Sequence, residues 1–477
     1  MIYSFWQRFT LSDLSLDRWV NSSYFYRWVG CLQSWRQQSW LIQWGDEIGA
    51  MLTALVFILS PFATSLLSTD LIGLLAIGVA AFWVLLTLAD RRQSGGVTPI
   101  HATILIFWAV AAISTGLSPV RADAIGGLVK LSLYLSLFLM LARLCRSPQI
   151  LNWLLAIYLN IALCVSVYGV NQSIYGARAL ATWVDAESSL AKTTRVYSYL
   201  NNPNLLGGYL LPAIAFSIAA CFIWRSWLTK ILAIVMVVVN TYCLQATYAR
   251  GAWIGASVML LVAVGLVYYW LRPTLPKFWK SWGLSIAIIS VVTIGGILIL
   301  LVPNLHDRVL SIFSDRKDSS NNFRINVWEA VRKMIQNRPV FGFGPGDRVF
   351  KKVYPIYQVN AKFSALSSYS IFLDTIVQLG FVGFTCLIWS IVVTFNYAIR
   401  SLTRLRQTRD RQAFWLMAAI VSMVGLLCQG AFDTVWDRPA IQPLWWLCVG
   451  IVASFYLRVA TSDAPQDLEL SREMIDG

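Results

Sequence analysis

The chain has 477 residues, 57% of them hydrophobic and only 13% charged, with a mean hydropathy of +0.62, which excludes a water-soluble fold. Its formal net charge of +15, from 38 Lys and Arg against 23 Asp and Glu, would suggest a nucleic-acid partner in a soluble protein. Apolar blocks of membrane-crossing length remove that reading, and no nucleic acid is expected.

Residues 1–47 carry Trp6, Trp19, Trp28, Trp35 and Trp40 among Arg8, Arg18, Arg27 and Arg36, with no small-residue cleavage site after an apolar core. That mixture predicts an interfacial, cytoplasmic helical arm, because indole rings favour the membrane boundary and cations meet anionic lipid there. Twelve apolar blocks follow, at residues 48–68, 71–89, 100–117, 124–142, 149–170, 204–224, 231–247, 252–270, 284–303, 371–397, 413–431 and 439–457. A helix needs about twenty residues to cross roughly 30 Å of hydrocarbon, whereas an outer-membrane barrel would need alternating segments of about ten. The expected fold is all-α: a polytopic integral membrane helix bundle of about twelve transmembrane helices in contact with the lipid bilayer. Nine helices lie in 48–303 with an outer loop at 171–203, a large periplasmic loop occupies 304–370, three helices fill 371–457, and 458–477 form an acidic cytoplasmic tail.

With both termini cytoplasmic in an inner (plasma) membrane, the short inner loops hold fourteen basic residues, Arg143 and Arg146 among them, and the short outer loops hold three, Arg121, Arg250 and Arg438. Lys and Arg are retained inside, so this orientation is expected and the inner charges mark topology. None of the eight cysteines falls in the two large outer loops or stands at C-x-x-C spacing, and His101 and His306 are the only histidines. No disulfide framework, metal site or other cofactor is expected.

The first outer segment holds Trp183, Asp185, Glu187, Lys192, Arg195 and the run "RVYSYLNNPN"; the second has eleven Lys or Arg against five acids. Within the second, Ile325, Trp328, Val331 and Ile335 recur at helical spacing over 322–336, predicting a helix that lies on the membrane or caps the bundle's outer mouth. The break after it, "NRPVFGFGPGD", places Gly342, Gly344 and Gly346 at alternate positions. Such turns can face amides toward an anion, but a plain structural turn returning the chain toward Tyr354 is the favoured reading.

Polar residues inside spans are costly and so informative. Lys130 in the fourth block reads either as snorkelling to headgroups or as an anion ligand, with Asp374 in the tenth as a candidate partner. Asn160, Asn240, Gln245 and Gln429 read as hydrogen-bonding glue between helices. Arg250 stands in "TYARGAW", a minimal turn that fixes a planar, permanently charged guanidinium at the outer surface, suited to phosphate or carboxylate. No internal repeat or pair of broken helices, of the kind from which transporters build sites, is visible.

The order of "RVYSYLNNPNLLGGYLL", "TYARGAWIG", "RINVWEAVRKMIQNRPVFGFGPG" and "SSYSIFLDTIVQLGFVGF" resembles the O-antigen ligase and polymerase-like (WaaL-type) superfamily of polytopic membrane proteins. The similarity is closest to the cyanobacterial IctB-type branch, named for inorganic-carbon accumulation and proposed to transport bicarbonate, through "SPVRADAIGGLVKL", "ATWVD", "KDSSNNFRINVW" and "FDTVWDRPA". For the ligases, the resemblance implies two arginines holding the pyrophosphate of an undecaprenyl-linked glycan, and Arg195 and Arg250 occupy the matching motifs. A family histidine proposed as general base is replaced by "SSYS", leaving Ser368 and Tyr369 as catalytic candidates. A phenol with an ordinary pKa of about 10 is a poor base at neutral pH. Arg324, Arg348 and Lys130 complete the expected anion-binding set. The implied ligand is thus a small anion, bicarbonate, or a lipid-linked glycan pyrophosphate. The implied role is carbon accumulation or transport, with glycan transfer to a periplasmic acceptor as the alternative, and a scaffold for other membrane subunits as a third reading.

Overall fold

The computed structural model describes residues 2–12, 24, 28–90, 96–177, 195–301, 319–359 and 364–456. The arm contributes α1 (Ile2–Phe9), α2 (Gln33–Gln38) and α3 (Trp40–Gln43). Next come α4 (Gly45–Leu59), α5 (Thr69–Ala89), α6 (Pro99–Leu117), α7 (Arg121–Leu144), α8 (Pro148–Tyr175) and α9 (Pro203–Ile223). They are followed by α10 (Trp227–Ala246), α11 (Arg250–Leu271), α12 (Lys277–Leu301), α13 (Ser319–Asn337), α14 (Asp347–Tyr357), α15 (Ile371–Thr408) and α16 (Ala413–Gly430). A shorter apolar helix, α17 (Gln442–Tyr456), ends the described chain. Among the described residues eleven helices, α4 to α12, α15 and α16, are long and apolar enough to cross a membrane. The chain is therefore a polytopic helical membrane protein. At the twelfth expected span the chain turns through Arg438 and Pro439 before α17, which runs to the last described residue, Tyr456.

The centre of the bundle is α9, which packs on α10 and α16, while α16 in turn packs on α11. Small residues permit the approach. A Cβ at Gly207 would lie 2.5 Å from the Ala252 Cβ, and one at Gly255 would lie 2.8 Å from the Gly425 carbonyl, so "GGYLL" and "ARGAWIG" are packing motifs as well as loop edges. A second layer pairs α6 with α15 and α5 with α7. The described arm is held on the bundle, with Trp6 Nε1 donating to Asn396 Oδ1 at 3.1 Å and Trp389 Nε1 to the Phe9 carbonyl at 2.7 Å.

Two expectations are corrected here. Arg143 is buried, with Nε 2.7 Å from Asp46 Oδ1 and Nη2 3.1 Å from Asp90 Oδ2, and Arg36 closes on the same Asp90. It is a structural tie between α4, α5, α7 and the arm, more than a solvated topology marker. Likewise α15 is not one unbroken span: Gly380 has φ 69° and ψ −173° inside it. The freed carbonyls of Val377 and Gln378 accept from the amides of Phe343 and Gly344, both at 2.9 Å, and Phe381 N–H donates to the Pro339 carbonyl at 2.8 Å. The glycine-rich run therefore completes a broken helix, and Ser114 of α6 and Ser118 just past its end cap it by donating to the Phe341 and Phe343 carbonyls, both at 2.6 Å.

α13 confirms the helix expected over 322–336. Its buried stripe is Val327, Ala330, Val331 and Met334, one step round from the predicted face. The reason is tertiary: these residues meet Phe343, Val349, Phe350, Val353 and Val377 in a second apolar core that seats α13 and α14 on the bundle, with Trp328 Nε1 donating to the Ser368 carbonyl at 2.9 Å.

Candidate functional site

Arg195, Arg250 and Arg324 line one small cavity with Asn204, Gln429 and Asp433. Each arginine comes from a different stretch, and local chemistry explains its position. Asn202 caps α9, its Oδ1 accepting from the Asn204 amide at 2.8 Å, with Pro203 at the first helical position. Upstream, Gln172 Oε1 accepts from the Ser198 amide at 2.8 Å, and Val196 N–H donates to the Ala246 carbonyl at 3.1 Å. This pins the chain so that Arg195 donates from Nε to the Thr247 carbonyl at 3.1 Å and from Nη2 to Asn204 Oδ1 at 3.3 Å. Arg250 opens α11 and is only 7% exposed, so it is buried rather than held at the surface of its turn. Arg324 projects from the first turns of α13, and Gln429 fixes α16 to α9 by donating to the Asn204 carbonyl at 2.7 Å.

Three guanidinium groups face one carboxylate among the described residues lining this cavity. Burial, and then the Arg250 and Arg324 charges, push Arg195 down to about 10, with Asp433 opposing the shift. It is still protonated at neutral pH, yet like-charge crowding of this kind signals a place for an anion. The same helices also form an apolar groove of about 270 Å³, lined along α9 from Ile214 to Phe222, along α11 from Ala256 to Val267, along α16 from Phe414 to Val421, and by α10. It starts about one turn from the arginine cavity along α11, and about two to three turns from it along α16 and α9.

The remaining expected residues lie elsewhere. Lys130 and Arg348 line a wider cavity of about 450 Å³ beside Asp123, Asp437 and Arg438, so the set expected to hold one anion is divided in two. Lys130 and Asp374 do share a narrower cavity, but Lys130 Nζ donates to the Asp437 carbonyl at 2.7 Å, while Asp374 accepts from Gln378 Nε2 at 2.6 Å. Ser368 is buried and its hydroxyl donates to the Ser370 carbonyl at 2.8 Å. Tyr369 has φ 55° and packs edge-on to Phe323 at 5.6 Å. Burial first, then Asp433, raise its phenol above the ordinary value against the opposing Arg324 and Arg438 charges, which leaves still less phenolate to act as a base at neutral pH. Of the glue candidates, Asn240 accepts from Ser166 at 2.7 Å across α8 and α10, whereas Asn160 donates within its own helix. Trp183, Asp185, Glu187 and Lys192 lie outside the described residues. Sequence reasoning passed over Asn204 and Asp433. The available signal was an uncompensated acid in "FDTVWDRPA", a short connection between apolar helices, where charge is expensive.

Among known proteins, the family model described as O-antigen ligase matches residues 232–388. That third of the chain, running from α10 into α15, is O-antigen ligase-like; it contains Arg250, Arg324, Ser368 and Tyr369, but not Arg195 or Asp433. A curated Haemophilus influenzae protein described as "Uncharacterized protein" is 25% identical over 213 residues, 41% of this chain. The chain spans about half the length of this curated relative, the match covering 51% of it.

Proposed function

We propose that the arginine cavity receives the phosphate or diphosphate of a lipid-linked anion whose hydrocarbon chain lies in the apolar groove. The observation that carries this reading is that a triple-arginine cluster and an apolar groove are built on the same helices, α9, α11 and α16. Guanidinium groups bind phosphate oxygens in bidentate fashion. Each buried methylene adds about 0.8 kcal/mol, so a groove of this kind selects an amphiphile. Bicarbonate, the ligand implied by resemblance to the IctB-type branch, would use the arginines and leave the groove empty. The ligase-like match favours a glycan-bearing undecaprenyl diphosphate as the physiological amphiphile, with transfer to an acceptor on the outer side of an inner membrane. The Ser368 hydroxyl donates to the Ser370 carbonyl and the Tyr369 phenol is held protonated, so neither is assigned the part of the base.

The test is binding to the full chain in lipid nanodiscs, comparing farnesyl diphosphate, inorganic diphosphate and bicarbonate by calorimetry. Farnesyl diphosphate should bind at least about tenfold more tightly than inorganic diphosphate. Equal affinities would remove the groove from the site. Tighter binding of bicarbonate, together with flux of labelled bicarbonate into liposomes above empty vesicles, would restore the transport reading.

A further inference from the structure

The arginine cavity lies where α9 and α11 begin and α16 ends. The opposite ends of these helices carry a separate concentration of charge. Residues 225–230, 272–280 and 400–411, which join α9 to α10, α11 to α12 and α15 to α16, hold ten Lys or Arg against one acid, Asp410. Packing gathers the three connections on one face. Phe414 stacks on Phe222 with ring centroids 4.7 Å apart and meets Trp270 at 5.7 Å, while the Tyr269 hydroxyl donates to Thr403 Oγ1 at 3.1 Å. Arg406 lies over the Tyr269 ring, 4.1 Å from its centroid.

The protein does not neutralise this face. Among the described residues none of the ten cations forms an ion pair, and the Asp410 carboxylate accepts from the Gln412 amide at 2.9 Å. Arg143, at the same end of the bundle, is instead enclosed by Asp46 and Asp90. A bias of a few cations between loops is enough to set orientation, so ten on one face, against a single acid, leave a surplus for a ligand.

Depth and composition say which ligand. α15 runs 38 residues, about 57 Å at 1.5 Å per residue against roughly 30 Å of hydrocarbon, so its last turns, with Arg400, Arg404 and Arg406, stand in the headgroup layer. Trp227 at the start of α10, and Phe278, Trp279 and Trp282 at the start of α12, are exposed among the basic residues. Such rings belong to a membrane boundary. A soluble polyanion would meet the charges and leave the rings uncovered.

We infer that this face is a docking surface for anionic phospholipid, whose phosphate meets the cations of the three connections while its acyl chains lie along the exposed side of α12. In the expected orientation the lipid comes from the cytoplasmic leaflet, where basic clusters at helix ends attract acidic headgroups. The face lies at the far end of α9, α11 and α16 from the arginine cavity and stands apart from that reading.

The experiment is native mass spectrometry of the full chain in a neutral detergent, titrated with phosphatidylglycerol, cardiolipin and phosphatidylcholine. At least one anionic lipid should bind about tenfold or more tighter than phosphatidylcholine. Lys280→Gln and Arg404→Gln, at exposed positions, should keep the thermal midpoint and each cut that preference about fivefold. Arg121→Gln, an exposed cation at the opposite end, should leave it within about twofold. Equal affinity for the three lipids, or a preference that both variants leave untouched, would overturn the proposal. So would a preference lost in Arg250→Lys and kept in the two variants, because the lipid would then sit in the arginine cavity. Tighter binding of a polyuridylate oligomer than of either anionic lipid, weakened by the same two variants, would replace the lipid with a soluble polyanion.

Discussion

The amide of Phe343 donates at 2.9 Å to the carbonyl of Val377, an acceptor that an unbroken α-helix would have given to Phe381. The glycine-rich run thus supplies the hydrogen bonds that α15 loses at Gly380. Backbone groups in a bilayer must be satisfied within the protein, which makes the break and the loop a single unit.

Gly380→Ala should therefore be severe. Its φ of 69° is a left-handed conformation, and a Cβ there would stand 2.0 Å from the Val340 carbonyl. A loss of more than about 2 kcal/mol is expected, read as a fall in the thermal midpoint in nanodiscs. Gly295→Ala on α12, where a Cβ meets nothing within 4 Å, should stay within about 0.5 kcal/mol of the wild type.

Arg250→Lys retains the charge and loses the planar fork. In a cavity that binds diphosphate bidentately, affinity for farnesyl diphosphate should fall about 10–100-fold, corresponding to roughly 1.5–3 kcal/mol for a hydrogen bond to a charged group. A change below twofold would reduce Arg250 to a general source of positive potential.

Ala263→Phe fills the groove that Ala263 lines. The ratio of farnesyl diphosphate to inorganic diphosphate affinity should drop at least about tenfold, since several methylenes at about 0.8 kcal/mol each lose their place. An unchanged ratio would mean that the hydrocarbon chain lies elsewhere.

The pH dependence has a fixed sign. Burial and the neighbouring arginines lower Arg195 to about 10, and an anion needs its charged form. Affinity should then hold through neutral pH and decline above about pH 10. In Arg195→Lys the same surroundings act on a group that starts about two units lower, so the decline should begin near pH 8. Calorimetry on the two proteins side by side cancels the ligand's own titration.

Arg143→Met leaves half-buried Asp46 without this cation and buried Asp90 with Arg36 alone. A loss of about 1–3 kcal/mol is expected from removing charge-assisted hydrogen bonds to these carboxylates, and thermal unfolding in nanodiscs measures it.

Sequence alone determined the helical membrane class and placed most of the helices, because hydrocarbon thickness sets the length of an apolar block and backbone satisfaction dictates a helix. It also singled out Arg250, because charge fixed between apolar spans is costly enough to stand out, while Arg195 came from the resemblance to the ligase motif and Arg324 from the cationic outer loop. Tertiary structure decided what those residues form. Arg195, Arg250 and Arg324 lie far apart in the chain and meet because α9, α11 and α16 pack closely at Gly207 and Gly255 and a second apolar core seats α13 on the bundle; Lys130 and Arg348, identical in sequence logic, fall on another wall. The break at Gly380 was hidden because a glycine in an apolar run looks like any helical glycine, and its partners Pro339 to Gly344 lie some forty residues upstream. Residue type and local period report the solvent that a segment meets, whereas a binding site depends on which segments meet each other.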